Sequence, residues 1–121
     1  MRIREALGEA PLFFAGQLTG VEGYVESTAM GHIAGTNVAR IARGENPMTM
    51  PRGTMMGALA HYITTKEGTL QPINSNWGLV PTVPKRENGR RLSKPERRQR
   101  QARMALATLD EFMREGVKTA V

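Results

Sequence analysis

Leu12-Phe13-Phe14-Ala15-Gly16-Gln17-Leu18-Thr19-Gly20-Val21-Glu22-Gly23-Tyr24-Val25-Glu26-Ser27 decides how the rest of the chain is read. Four apolar residues lead into a turn with glycine at positions 16, 20 and 23, and a long helical pattern follows at once. A short apolar run, a Gly-rich turn and a helix start together present backbone N–H groups to an anion or a cofactor. Leu12–Ala15, bounded by Pro11 and Gly16, has the continuous apolar character of a strand buried on both faces, as in a parallel sheet. The spacing Gly16-x3-Gly20-x2-Gly23 is not the G-x-G-x-x-G dinucleotide fingerprint. Glu22 and Glu26 occupy the first helical turns, where they oppose a bound anion. On spacing alone the turn is either a cofactor lining or a structural turn in which glycine supplies positive φ.

Working outward, Met1–Pro11 reads as an irregular or edge segment leading into the strand. Glu22–Arg43 reads as a helix. Tyr24, Thr28, Gly31, Gly35, Val38 and Ala42 share one stripe of it, and Met30, Ala34, Asn37 and Ile41 the neighbouring one. Gly31 and Gly35 each cost roughly 1 kcal/mol of helix propensity relative to Ala, so a close approach of another element is expected there. Gly44 suits a left-handed C-terminal position, and Pro47 blocks resumption. Thr54 caps a short helix to about Thr64, with Met55, Leu59, Tyr62 and Ile63 on one side. Gly68–Pro84 is a Pro/Asn-rich loop whose Ile73, Trp77, Leu79 and Val80 argue for order. Ser93-Lys94-Pro95-Glu96 is a capping-box pattern that starts a last helix to about Arg114. Leu106, Leu109 and Met113 line one stripe of that helix, with Ala102, Ala105 and Phe112 beside it. Its first half is mostly charged, so firm packing is expected from the second half only. One strand cannot stand alone in a parallel sheet, so its neighbours are expected from weak segments or from sequence outside this chain.

The chain has 121 residues, room for one ordinary domain, and is 40% hydrophobic. Without Cys it has no disulfide scaffold, thiolate metal site or cysteine nucleophile. Two His and no Cys leave no metal site to predict, and a lone His32 on a helix has no partner at catalytic spacing. No run approaches the roughly 20 apolar residues of a membrane span, and the first ten residues lack a signal-peptide pattern. A soluble, cytoplasmic protein is expected. The net charge of +6 is one local feature: Lys85, Arg86, Arg90, Arg91, Lys94, Arg97, Arg98, Arg100 and Arg103 face only Glu87 and Glu96 in their window. The window has no interleaved aromatic and so no base-stacking platform. It reads either as a solvated linker and helix face or as a phosphate-binding surface, with Lys85, Arg86, Arg90, Arg91, Arg97, Arg98 and Arg100 as candidates. Trp77 either stacks on a planar ligand or plugs its loop onto the core, and Asn74 and Asn76 read as turn formers.

Leu12–Arg43 resembles the C-terminal FAD-binding segment of the folate- and FAD-dependent tRNA (uracil-5-)-methyltransferases (TrmFO/Gid type). A second block, Gly57-Ala58-Leu59 to Tyr62-Ile63 and then Gln71-Pro72 to Asn76-Trp77-Gly78-Leu79 and Pro81, resembles a later part of the same family. The run Gly20-Val21-Glu22-Gly23-Tyr24-Val25-Glu26-Ser27 separates this family from its nearest relative, the FAD-dependent enzyme that installs carboxymethylaminomethyl groups on wobble uridine. The resemblance covers about Pro11 to Pro84 closely and the last helix loosely.

The resemblance implies an α/β fold, the C-terminal fragment of a Rossmann-like FAD-binding domain. Its parts are one buried strand, a long helix, a short helix, the Pro/Asn-rich loop and a basic C-terminal helix. Residues 1–84 would be the domain fragment and residues 85–121 a basic linker and helix. It further implies FAD, methylenetetrahydrofolate and NAD(P)H, and methyl transfer to C5 of a T-loop uridine in tRNA. Gly16, Gln17, Gly20, Gly23 and Tyr24 would lie against the flavin, and His61 and Trp77 would face substrate. Family members are several times longer, with a G-x-G-x-x-G turn for the ADP half of FAD and cysteine chemistry on the uracil. Neither is present here, so no catalytic residue is assigned to this chain. It is expected to be the C-terminal piece of a truncated or split enzyme, inactive alone, with a separate N-terminal polypeptide as candidate partner. The alternatives are a non-catalytic basic tRNA-binding module, a relic of the family, or part of the wobble-uridine enzyme.

Overall fold

The apolar run after Pro11 forms less strand than its composition suggests. In the computed structural model, which describes residues 2–3, 11–69 and 71–116, only β2 (Leu12–Phe13) is extended into a ladder. It pairs antiparallel with β1 (Arg2–Ile3), Arg2 opposite Phe13 and Ile3 opposite Leu12. Leu12 and Phe13 are half-buried, and Phe14 and Ala15 leave the ladder to line a cleft. The expected parallel strand, buried on both faces over Leu12–Ala15, is therefore corrected. An unbroken apolar run records avoidance of water and carries no information about the direction of the partner strand. Most of the segment expected to be irregular, residues 4–10, lies outside the described residues.

After a single 3-10 turn, α1 spans Tyr24–Ala42. Its inward side is the stripe holding Met30 and Asn37, both buried. The other stripe, from Tyr24 through Gly31 and Gly35 to Ala42, is exposed throughout. Among the described residues nothing lies within 4 Å of where a Cβ would stand at Gly31 or Gly35, against the close approach expected there. Glycine spacing shows that a surface is small and not that anything covers it. The helix ends in a Schellman pair: Gly44, at φ +75°, donates to the Ile41 carbonyl and Glu45 to the Arg40 carbonyl. Asn37 then ties the following segment back onto α1. Its amide nitrogen donates to the Met48 carbonyl at 3.0 Å, and its oxygen accepts from the Met48 N–H at 2.7 Å.

α2 (Met55–Thr65) starts as the sequence indicates, the Thr54 hydroxyl accepting from Gly57 N–H at 3.0 Å and donating to the Pro51 carbonyl at 2.7 Å. The close approach sits here: a Cβ on buried Gly57 would collide with the Pro51 and Met50 carbonyls. Leu59 of α2, Met30 of α1 and Val21 form the buried apolar centre, with Ile33, Ile63, Ile73 and Leu79 packed around them.

The segment after Pro84 is more ordered than a linker. β3 (Arg86–Glu87) and β4 (Arg90–Arg91) form a hairpin. Asn88 and Gly89, at φ +49° and +77°, make its turn. α3 (Lys94–Arg114) follows with both halves of the capping box formed, Ser93 Oγ accepting from Glu96 N–H and Glu96 Oε2 accepting from Ser93 N–H. Its buried residue is Gln101, in the first half; its side chain donates to the Trp77 and Pro81 carbonyls at 3.3 and 3.1 Å and accepts from Arg98 at 2.9 Å. Leu106 and Met113, in the second half, are exposed. The expectation that only the second half packs is thus corrected: the first half holds the buried residue, and the second half packs along one side only. A fully satisfied amide is inexpensive to bury, and a count of apolar residues does not register it. Ala102, Ala105, Thr108 and Phe112 continue the half-buried side, with Thr108 against Gly53.

Two glycine substitutions should have opposite effects. Gly57→Ala should lower stability by about 2 to 3 kcal/mol through overpacking against backbone. Gly35→Ala, at an open position, should raise it by about 1 kcal/mol. Urea unfolding followed by circular dichroism reads both; equal responses would contradict the packing described.

Candidate functional site

The glycine turn is built in three steps. Ala15 is extended, Gly16 turns to φ +80°, and Gly16–Thr19 make the 3-10 turn, closed by the Thr19 hydroxyl donating to the Gly16 carbonyl at 2.7 Å. Gly20, at φ +87°, donates back to the Gln17 carbonyl at 3.0 Å. Val21 then enters a parallel bridge with Ile73: Glu22 N–H donates to the Ile73 carbonyl at 2.9 Å, and Ile73 N–H to the Gly20 carbonyl at 3.0 Å. Val21 is 0% exposed, so the turn is pinned to the core at its far end.

Gly23 starts α1 at φ +106°, where a side chain would strike the Glu26 carboxylate. Glu26 Oε1 accepts from the Ser75 N–H at 3.1 Å and the Ser75 hydroxyl at 2.6 Å, while Asn74 donates to the Glu22 carbonyl at 3.0 Å. The Ser75 hydroxyl, above all, holds the Glu26 carboxyl below the usual carboxylate range. The helix N-terminus therefore carries its own anion, and a second negative group would be repelled. Ser75 carries no signal in the sequence, and Asn74, expected as a turn former, is instead a cross-link outside any described turn; nothing in local spacing indicates a contact 49 residues away. Asn76 does cap its own turn, accepting from Gly78 N–H at 2.9 Å.

The outer surface of this turn is apolar and open. Gln17 is exposed, Leu18 is 78%, Val25 80% and Tyr24 95% exposed. Of the five residues singled out at the turn, Gln17 and Tyr24 are exposed, Gly20 and Gly23 half-buried and Gly16 buried. On the other side of the turn a cleft of about 390 Å³ opens between α1 and α2, lined by Phe13, Phe14, Met30, Asn37, Met48 and His61 among others.

His61 and Trp77 belong to different surroundings. His61 is half-buried in that cleft. Trp77 leans on α3, with the Arg98 guanidinium 5.4 Å from its ring centre. His32 is exposed on α1.

The basic residues separate into two groups. Arg90 pairs with Glu96 at 2.8 Å, Arg100 takes both oxygens of Glu87, and Arg98 is engaged by Gln101 and Trp77. Lys85, Arg86 and Arg91 are exposed and have no side-chain partner among the described residues. Arg97 is half-buried, its Nε without a partner. The Asn88-Gly89 turn that organises the hairpin is a sequence signal that a count of charges passes over.

Residues 5–46 match the family described as Glucose inhibited division protein A. Over all of its 121 residues the chain is 74% identical to 27% of the methylenetetrahydrofolate–tRNA-(uracil-5-)-methyltransferase TrmFO of Rubrobacter xylanophilus. It is 49% identical over 104 residues, 86% of this chain, to 22% of the protein of the same name from Aquifex aeolicus. An Exiguobacterium protein of that name is 50% identical over 102 residues, 84% of this chain and 23% of its own length. The chain spans about a quarter of the length of the relatives it matches.

The anchor of α3 should be acid-sensitive. Hydrogen bonding from Arg90 first, and from the Ser93 backbone and hydroxyl, pulls the Glu96 carboxyl from its ordinary 4.5 down to about 2. A carboxyl depressed on folding contributes stability above its unfolded value and loses that contribution as pH falls through the folded one. The stability difference between the native chain and Glu96→Gln should therefore be constant above pH 4.5 and shrink from there toward pH 2. Paired urea titrations across that range measure it; a difference independent of pH would refute the assignment.

Proposed function

We propose, on the premise that this sequence is a segment of the methylenetetrahydrofolate- and FAD-dependent tRNA (uracil-5-)-methyltransferase family, that the chain is its C-terminal, flavin-lining part. The observation that carries this reading is the group of exposed apolar side chains at the glycine turn, Leu18, Tyr24 and Val25, in a chain 74% identical over its 121 residues to a protein of that name. Residues 1–84 are assigned to the C-terminal part of a Rossmann-like FAD-binding domain, and residues 85–121 to a basic region serving tRNA.

The residues present fit one end of FAD and not the other. Tyr24, Leu18 and Val25 offer exposed apolar side chains, Gln17 an exposed amide, and Gly16 a backbone without a side chain. That set suits an isoalloxazine ring, which is planar, with polar edges. The α1 N-terminus, occupied by Glu26 and Ser75, does not suit a pyrophosphate. The ADP end belongs to the sequence that this chain does not span, on a longer chain or on a separate N-terminal polypeptide. When bound, FAD supplies the reducing electrons, replenished by NAD(P)H, for methyl formation from methylenetetrahydrofolate at C5 of a T-loop uridine.

This chain's own share is binding and shielding. Gln17 and the Gly16–Gly23 backbone would hold the ring edge and Tyr24 would pack against the ring, the turn being fixed at its far end by the Val21–Ile73 bridge. Trp77 and His61 remain candidates for the substrate side. No described helix is long and apolar enough to cross a membrane, in keeping with action on tRNA in the cytoplasm.

The test is reconstitution. Co-expressed with the portion of the Rubrobacter relative that precedes the matched segment, the chain should yield flavin absorbance and transfer labelled methyl from folate to tRNA. The chain alone should hold FAD weakly or not at all. Tyr24→Ala, at an exposed position, should weaken flavin binding in the assembly by about tenfold through lost stacking. A reassembled protein without flavin, or tight stoichiometric FAD on the chain alone, would reject the half-site reading.

A further inference from the structure

The β3–β4 hairpin places Arg86 directly opposite Arg91 and Glu87 opposite Arg90. Leu92 N–H donates to the Lys85 carbonyl at 2.9 Å, which makes 85/92 a hydrogen-bonded pair and, by alternation, 86/91 a non-hydrogen-bonded one. Such pairs bring their Cα atoms to about 4.5 Å and their side chains closest together. Faces alternate along a strand. Leu92 is buried at 2% exposure, and Glu87 and Arg90 reach Arg100 and Glu96 on α3, so this face is turned to the protein. Arg86 and Arg91 share the opposite face and are exposed.

Like charges directly opposite one another destabilise a hairpin, and nothing nearby offsets the pair. The acidic residues between Lys85 and Arg103 are Glu87 and Glu96, and both are engaged by other arginines. The two ion pairs that consume these carboxylates also hold the hairpin against α3, so the free pair is presented on a braced support. Two guanidinium forks at this separation match a phosphodiester, which accepts bidentate N–H donation from each.

We propose that Arg86 and Arg91 form a cross-strand clamp for an RNA backbone phosphate, while Arg90, Arg98 and Arg100 act within the protein to hold that clamp in place. The proposal rests on the tRNA reading above and names which of the basic residues meet the substrate. With no aromatic beside it, the clamp fixes the position of the strand and carries no base readout.

Fluorescence anisotropy with labelled tRNA, titrated from about 50 to 200 mM salt, tests it on the full chain and on the reconstituted assembly. The Arg86→Gln/Arg91→Gln double variant should lose on the order of tenfold in affinity at low salt. Its log–log salt slope should fall by about 0.7 to 0.9, one phosphate contact's worth. Its thermal midpoint should be unchanged or higher, because a like-charge repulsion has been removed; a merely structural pair would not give this combination. Arg86→Lys/Arg91→Lys should keep most of the slope. Native-like tRNA binding and slope in the Gln double variant would overturn the clamp and leave the tRNA reading standing. Salt-independent or absent tRNA binding by the native assembly would overturn both. Displacement of tRNA from the native protein by ADP, but not from the double variant, would assign the pair to a nucleotide pyrophosphate and overturn the RNA assignment.

Discussion

The parallel bridge between Val21 and Ile73 is the contact on which the molecule turns. Two backbone hydrogen bonds join segments about fifty residues apart, and the side chain at their centre is fully buried. On one side the bridge sets where the glycine turn stops and α1 begins. On the other it delivers Asn74 and Ser75 to the first turn of α1. Without it the turn would have a hinge at Gly20 and another at Gly23, both at positive φ, and no fixed outer surface. An extended pair with a single bridge gains little from the ladder itself; Leu59, Met30 and the surrounding Ile33, Ile63 and Leu79 hold it by packing.

Two amide side chains complete the framework. Asn37 offers Met48 the donor and acceptor that a neighbouring strand would have supplied. Gln101 donates to both the Trp77 and the Pro81 carbonyls, its oxygen accepting from Arg98. Each closes a loop that has no regular structure of its own, and each is buried with its polar atoms engaged, the condition under which a polar group adds specificity without a desolvation penalty. Few large apolar anchors are available in this chain, and polar anchors take their place.

The electrostatics follow from commitment and not from number. The helix start that looked like an anion site is filled by Glu26, and the basic window that looked uniform is partitioned. Ion pairs of surface arginines contribute little stability singly, yet here they position the hairpin on α3 and decide which cations remain free. The same window thus holds supporting arginines and presenting ones.

Sequence by itself determined the caps and turns. Thr54, the Ser93–Glu96 box and Gly44 all act within a few residues, so local chemistry was enough to place α1, α2 and α3 nearly to their ends. The glycine turn was legible for the same reason, its conformations being ones only glycine adopts freely. The Asn88-Gly89 hairpin was equally local and was obscured only by the surrounding charge. What tertiary structure alone decided was direction and partnership. The apolar run at Leu12 had no way to encode an antiparallel neighbour at Arg2–Ile3. Two stripes of α1 carried similar periodicity, and only the position of Leu59 and Met48 selected the one with Met30 and Asn37. The engagement of Glu26 by Ser75, of Gln101 by Pro81 and of Glu87 by Arg100 joins residues far apart along the chain. Hydrogen-bond partners at such separations are chosen by where the core brings backbone carbonyls and side chains together, and that is a property of packing, not of spacing.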